Sequence, residues 1–154
     1  MKSAILVSLL FLAAGTGCSR AAQTPAIAPA IAAPTVAPAP APTIAPAEAA
    51  RRVADGKAVL IDVREPNEWA EIGVAAPATL LPLSDLNGDR KQWKNFLEKN
   101  RDKELILYCR TGNRSGRAAK LLAEEGYRTL NAGGFRDWQA ANLPTRKIDE
   151  PGRP

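Results

Sequence analysis

The chain has 154 residues, 45% of them hydrophobic, with 21 Lys and Arg against 16 Asp and Glu, two cysteines and no histidine. That length holds one domain of ordinary size, and the missing His excludes a Ser-His-Asp triad, a Cys-His dyad and a His-based zinc site. Chemistry is left to Cys, Arg, Lys, carboxylates, hydroxyls and backbone dipoles, while a net charge of +5, interspersed from Glu48 onward, argues against a nucleic-acid arm and favours small anionic substrates.

The N-terminus reads as an export signal. Met1-Lys2-Ser3 is basic, and Ala4 to Ala14 is a largely apolar run closed by small residues. The run is too short for a bilayer core, which needs about 20 apolar residues. Gly15-Thr16-Gly17-Cys18 is similar to the lipobox of bacterial lipoproteins, although an aliphatic residue is usual where Gly15 stands. That resemblance implies a signal segment over residues 1–18 and lipidation of Cys18. It places the protein on the periplasmic side of a bacterial membrane, anchored there by lipid. Cleavage after Ser19-Arg20-Ala21 is the alternative and gives a soluble periplasmic product. With Cys18 lipidated, Cys109 has no intramolecular partner, so a disulfide framework is ruled out.

Residues 19–46 are mostly Ala and Pro, with Pro at 25, 29, 34, 38, 40, 42 and 46. Large apolar side chains are too few to offset the entropy of ordering, and frequent Pro favours extended polyproline II. The segment reads as a spacer reaching on the order of 80 Å at about 3.1 Å per residue.

Residues 47–147 then alternate helix and strand, and residues 148–154 read as a flexible tail. A short helix over Ala47 to Asp55 stops at Gly56. Ala58 to Val63 is a continuous apolar run, as in a strand buried on both faces. Pro66 opens a brief helix through Trp69 to Ile72, and Thr79 to Leu83 reads as a second short strand. Arg90 to Asn100 is amphipathic, with Trp93, Phe96 and Leu97 on one face. Glu104 to Tyr108 is a clear strand, Ser115 to Glu125 a helix stopped by Gly126, Thr129 to Asn131 a last strand, and Phe135 to Ala141 a last helix. This order predicts an α/β domain: a small parallel central sheet with helices on both faces.

The chemistry concentrates at Cys109-Arg110-Thr111-Gly112-Asn113-Arg114-Ser115, between a strand and a helix. Ligands of parallel sheets bind at the carboxyl ends of strands, where Cys109 falls. The following helix N-terminus offers free N–H groups and positive dipole to an anion. Gly112 allows the loop to curl, and Arg110 and Arg114 add cations suited to oxyanions. The expected result is a thiol of lowered pKa, a nucleophile needing no histidine. Asp62 and Arg64 read as a paired charge beside the sheet that could shape the site. Trp69, Trp93 and Trp138 read as core or cleft walls, and Lys120 as a solvated side chain.

Cys109-Arg110-Thr111-Gly112-Asn113-Arg114 resembles the C-R-x-G-x-R loop of rhodanese-like sulfurtransferases. Leu60 to Glu65 resembles the family's D-V-R-E strand, Leu81-Pro82-Leu83 its I-P-L, and Gly133-Gly134 with Trp138 and Leu143-Pro144 its terminal G-G…W…L-P. Val74 stands where the family has His. The resemblance implies transfer of sulfur from a donor such as thiosulfate through a Cys109 persulfide to a thiol or cyanide. Arg110, Thr111, Gly112, Asn113, Arg114 and Ser115 would bind the donor, with no metal or organic cofactor. A non-catalytic sulfur carrier or redox sensor uses the same loop. A phosphatase or arsenate reductase needs C-x5-R, whereas position 115 is Ser.

Overall fold

The computed structural model describes residues 40–148. The signal segment, Cys18, residues 19–39 of the spacer and residues 149–154 lie outside them.

Four strands form one parallel sheet. They are β1 (Ala58–Asp62), β3 (Thr79–Leu80), β4 (Glu104–Cys109) and β5 (Thr129–Gly134), in the order β3-β1-β4-β5. The pairing of β1 with β4 runs from Ala58 opposite Glu104 to Asp62 opposite Tyr108. Side chains of a strand alternate between faces, and here both faces are covered. Ile61, Leu105, Leu107 and Cys109 pack with α3 (Leu83–Asn87), α4 (Lys91–Lys99) and α5 (Asn113–Glu124) through Leu86, Trp93, Leu97 and Leu122. Leu60, Ile106 and Tyr108 face the other way, against α1 (Pro46–Ala54) and α6 (Phe135–Ala140), whose Ala49, Phe135 and Trp138 are buried. The expected α/β class, with a parallel sheet between helices, is what forms. Trp69, Trp93 and Trp138 are all buried.

Three expectations need correction. Residues 40–45 have the composition of the spacer, yet they lie against the domain. The Asn131 N–H donates to the Pro42 carbonyl at 2.9 Å, and the Ile44 N–H donates to the Asn131 carbonyl at 3.0 Å. Ala41 and Ile44 pack on the two cores. Their Pro spacing suits extended backbone, which pairs along the outer edge of β5, with Thr43 bridging Asn131 in parallel. Next, the strand expected over Thr79 to Leu83 stops at Leu80. Pro82 lacks an N–H and, with φ −66° and ψ 145°, serves as the N-cap of α3, a helix the sequence reading lacks. Finally, a second sheet pairs β2 (Val74–Ala75) with β6 (Thr145–Arg146), antiparallel. Two-residue strands carry no periodicity to read. Val74 is fully buried in this small sheet. Between β1 and β2 lies α2 (Pro66–Ile72), which supplies a residue to the site described next.

Candidate active site

Cys109 ends β4, and the chain turns directly into α5. Gly112 makes the turn possible: its φ of +88° lies in the left-handed region that an L side chain enters only at a cost. A Cβ at residue 112 would also stand 3.3 Å from the Gly133 Cα. As N-cap of α5, Gly112 turns its N–H to the cysteine sulfur at 3.1 Å. Ser115 is buried in the first turn, its Oγ 3.5 Å from Cys109 Sγ.

Burial is the largest influence on the Cys109 thiol and pushes its pKa up. The Ser115 hydroxyl and the N–H groups of Ser115, Thr111 and Gly112 outweigh it together, holding the thiol below its ordinary value. The expected lowered thiol is therefore present: the loop amides expected at the helix N-terminus act together with the Ser115 hydroxyl. Arg110, Thr111 and Asn113 are exposed.

Arg114 also differs from expectation. The loop sequence suggests a fixed cation open to a donor. Instead its Nη1 and Nη2 donate to Glu68 Oε2 and Oε1 at 2.6 and 2.7 Å. Glu68, on α2, caps that helix by accepting the Glu65 N–H at 3.2 Å. Arg114 holds its carboxyl below the usual carboxylate range, and partial burial opposes this. The fork fits the carboxylate because both are planar. A lone Glu in a short helix gives no sequence signal of such a pairing.

Asp62 and Arg64 form the expected charge pair, with both side chains fully buried. Arg64 Nε donates to Asp62 Oδ1 at 2.9 Å, and Nη2 donates to Asp62 Oδ2 at 2.6 Å and to the Gly73 carbonyl at 2.7 Å. The guanidinium lies over the Phe135 ring, 4.5 Å from its centroid. This pair ties the end of β1 to α2 and α6. It supports the site and does not reach the sulfur by any hydrogen bond among the described residues. Lys120 is half-buried on α5.

Asn131 is the residue that sequence reasoning missed. Between β4 and β5 the register slips: Leu107 faces Asn131, but Cys109 faces Gly134, so β5 carries an extra residue. At this bulge Asn131 Oδ1 accepts from the Ser115 hydroxyl and the Gly133 N–H, and its Nδ2 donates to the Gly112 carbonyl. Gly133 has φ +80°, and a Cβ on Gly134 would meet the Arg110 carbonyl oxygen at 2.6 Å. The Gly133-Gly134 pair thus lets β5 approach the loop closely.

A parallel sheet offering one cysteine in a loop at its carboxyl edge, with the Gly112 N–H turned to the sulfur, defines an α/β protein with a cysteine loop. Comparison with known proteins then fixes the family. The chain belongs to the rhodanese-like domain family, whose profile matches residues 45–141. It is 35% identical over 98 residues to a sulfurtransferase of Allochromatium vinosum, covering 62% of this chain and 85% of that one. It is 48% identical over 84 residues to the uncharacterized protein YqhL of Bacillus subtilis, covering 53% of this chain and 61% of YqhL, less than two thirds of that relative's length. Among solved structures, human single-domain sulfurtransferase TSTD1 superposes with a TM-score of 0.53 at 28% identity, covering 65% of this chain and 96% of that one.

Proposed function

We propose that this protein is a sulfurtransferase that takes sulfane sulfur from a thiosulfate-type donor onto Cys109 and passes it to a thiol or cyanide. The observation that carries the reading is the set of donors around Cys109 Sγ: the Gly112 N–H at 3.1 Å and the Ser115 hydroxyl at 3.5 Å, with the thiol held low.

In the first step the Cys109 thiolate attacks the outer sulfur of thiosulfate. A bond forms between the two sulfurs as the donor's own S–S bond breaks, and the electron pair leaves with sulfite. The persulfide left on Cys109 is an anion, and N–H groups already aimed at the loop centre stabilise it without reorganisation. In the second step an acceptor thiolate or cyanide attacks the outer persulfide sulfur, and Cys109 departs as thiolate. No external oxidant or reductant is needed. Arg110, exposed at the loop, draws the dianionic donor in. Arg114, already paired with Glu68, orients the donor more than it attracts it.

Cys109 is fully buried, so the loop must admit the donor's outer sulfur. The same burial favours a second reading, a carrier whose sheltered persulfide is handed to a dedicated partner. Turnover with thiosulfate and cyanide decides between them. Steady release of thiocyanate supports the enzyme, whereas one loading without turnover supports the carrier.

Export to the periplasmic side of a bacterial membrane, with Cys18 lipidated, is part of the proposal and rests on the residue pattern of the first 18 positions. Cys18→Ser should move the mature protein from the detergent phase to the aqueous phase. A wild-type protein that is already aqueous and begins at Ala22 contradicts the anchor.

A further inference from the structure

Both ends of the Asn131 side chain bond to the cysteine loop, and its oxygen also accepts from β5. Nδ2 donates to the Gly112 carbonyl at 3.0 Å, and Oδ1 accepts from the Ser115 hydroxyl at 2.8 Å and from the Gly133 N–H at 3.1 Å. These partners also settle which end of the amide is oxygen, since a carbonyl needs a donor and an N–H an acceptor. The main chain of Asn131 is tied on its other side to Pro42 and Ile44. Even α5 leaves it space, for a Cβ on Gly116 would stand 3.2 Å from Asn131 Nδ2.

Two of these contacts bear on the sulfur. Gly112 sits at φ +88°, where a glycine backbone is weakly restrained by sterics. Its carbonyl is anchored by Asn131 and by the Gly116 N–H at 2.9 Å, which keeps the residue aimed so that its own N–H meets Sγ. Ser115 has one proton and three acceptors: Asn131 Oδ1 at 2.8 Å, the Gly112 carbonyl at 3.1 Å and Cys109 Sγ at 3.5 Å. By distance, the proton rests on Asn131 while the sulfur is a neutral thiol. An anionic sulfur is a stronger acceptor and draws the hydroxyl across. Oδ1 then keeps the Gly133 N–H, so no buried oxygen is left without a donor.

We propose that Asn131 is a positioning residue for Cys109, its amide holding the Gly112 carbonyl and the Ser115 hydroxyl in the one arrangement that serves an anionic sulfur. The inference rests on Cys109 as the reacting group, and it concerns ionisation, before any donor binds.

Asn131→Asp tests it. The side chain keeps its size, but a carboxylate oxygen now faces the Gly112 carbonyl, and the added charge holds the Ser115 proton harder. Both changes oppose ionisation of Cys109. The readout is the pH midpoint of iodoacetamide alkylation, followed at the Cys109 peptide of the full chain by mass spectrometry. The midpoint should rise by about one pH unit or more. It should survive high salt, which screens distant charge but not contacts. The rise should shrink when Ser115→Ala is already present, because the two residues act through one network. A folded variant with an unmoved midpoint overturns the proposal, as does a shift that salt abolishes and that Ser115→Ala leaves the same size. A second measurement needs no variant at Asn131. In the wild-type protein the Asn131 side-chain amide signals should shift with pH at the Cys109 midpoint, and signals flat through it overturn the proposal. Neither experiment contains a sulfur donor. If both succeed and thiosulfate still loads no sulfur, the sulfurtransferase reading fails alone. If sulfur transfer proceeds while neither signal moves, the role of Asn131 fails alone.

Discussion

Arg114 and Glu68 meet in a two-bond ion pair beside the cysteine loop, with N···O distances of 2.6 and 2.7 Å across 46 positions of sequence. The pair joins α2 to α5 and sets the charge next to Cys109. A cation expected to stand open is paired, and the carboxylate that pairs with it is mostly buried, with 12% of its side chain exposed.

The first prediction follows from that carboxylate. Glu68 is held below its usual range by Arg114. A group with a depressed folded pKa contributes stability above its unfolded value, about 4.3 for Glu, and loses it as pH falls through the lower folded value. Glu68→Gln should therefore cost about 1 kcal/mol at neutral pH, a modest figure because Arg114 is near one-third exposed. Urea unfolding of the two proteins should converge below about pH 4. A difference that stays constant into acid contradicts the pairing.

The two loop arginines should not be equivalent. Arg114→Ala leaves Glu68 unpaired beside an anionic sulfur, so it should reduce kcat/KM for thiosulfate by about 2 kcal/mol, roughly 30-fold. Arg110 is exposed, and Arg110→Ala should cost less, with a loss that fades as salt rises. Steady-state kinetics at low and high salt check both, and equal, equally salt-sensitive losses contradict the assignment.

Ser115→Ala removes a hydroxyl that favours the thiolate and leaves burial, which opposes it. The alkylation midpoint of Cys109 should rise by about one pH unit, the scale of one hydrogen bond to a charged group. At neutral pH less thiolate is then present, so sulfur loading should slow and recover as pH increases. A midpoint at or below that of the wild type rules out the Ser115 contribution.

Two glycines separate backbone strain from loop geometry. Gly126 has φ +90° with open space around it, so Gly126→Ala should cost about 1 kcal/mol of stability and leave sulfur loading intact. Gly134 has φ −102°, which any residue adopts, but a Cβ there meets the Arg110 carbonyl oxygen at 2.6 Å. Gly134→Ala should push the loop aside, costing about 1–3 kcal/mol and most of the loading rate. Thermal unfolding and loading rates of the two variants check this, and matching effects would remove the distinction.

How far these features were legible in the sequence depends on their range. Ala58 to Ile61 and Leu105 to Leu107 are continuous apolar runs at the heart of two strands, so the parallel sheet and its helices could be read directly. Cys109, the loop after it and the turn at Gly112 were readable too, because strand, glycine and helix are contiguous. Long-range pairings were not. Glu68 finds Arg114 only once α2 packs beside the loop, and Asn131 reaches Ser115 only through a slipped register in β5. The start of the domain was obscured for another reason. Pro-rich residues 40–45 look like a spacer, but their extended backbone also suits an edge strand.

The central claim is that Cys109 carries the sulfur, and intact mass spectrometry after incubation with thiosulfate tests it most directly. The wild-type protein should gain one sulfur atom at Cys109 and lose it to cyanide as thiocyanate, while folded Cys109→Ser gains none, its hydroxyl staying protonated at neutral pH. A sulfur adduct on any other residue, or undiminished transfer by Cys109→Ser, would contradict the account.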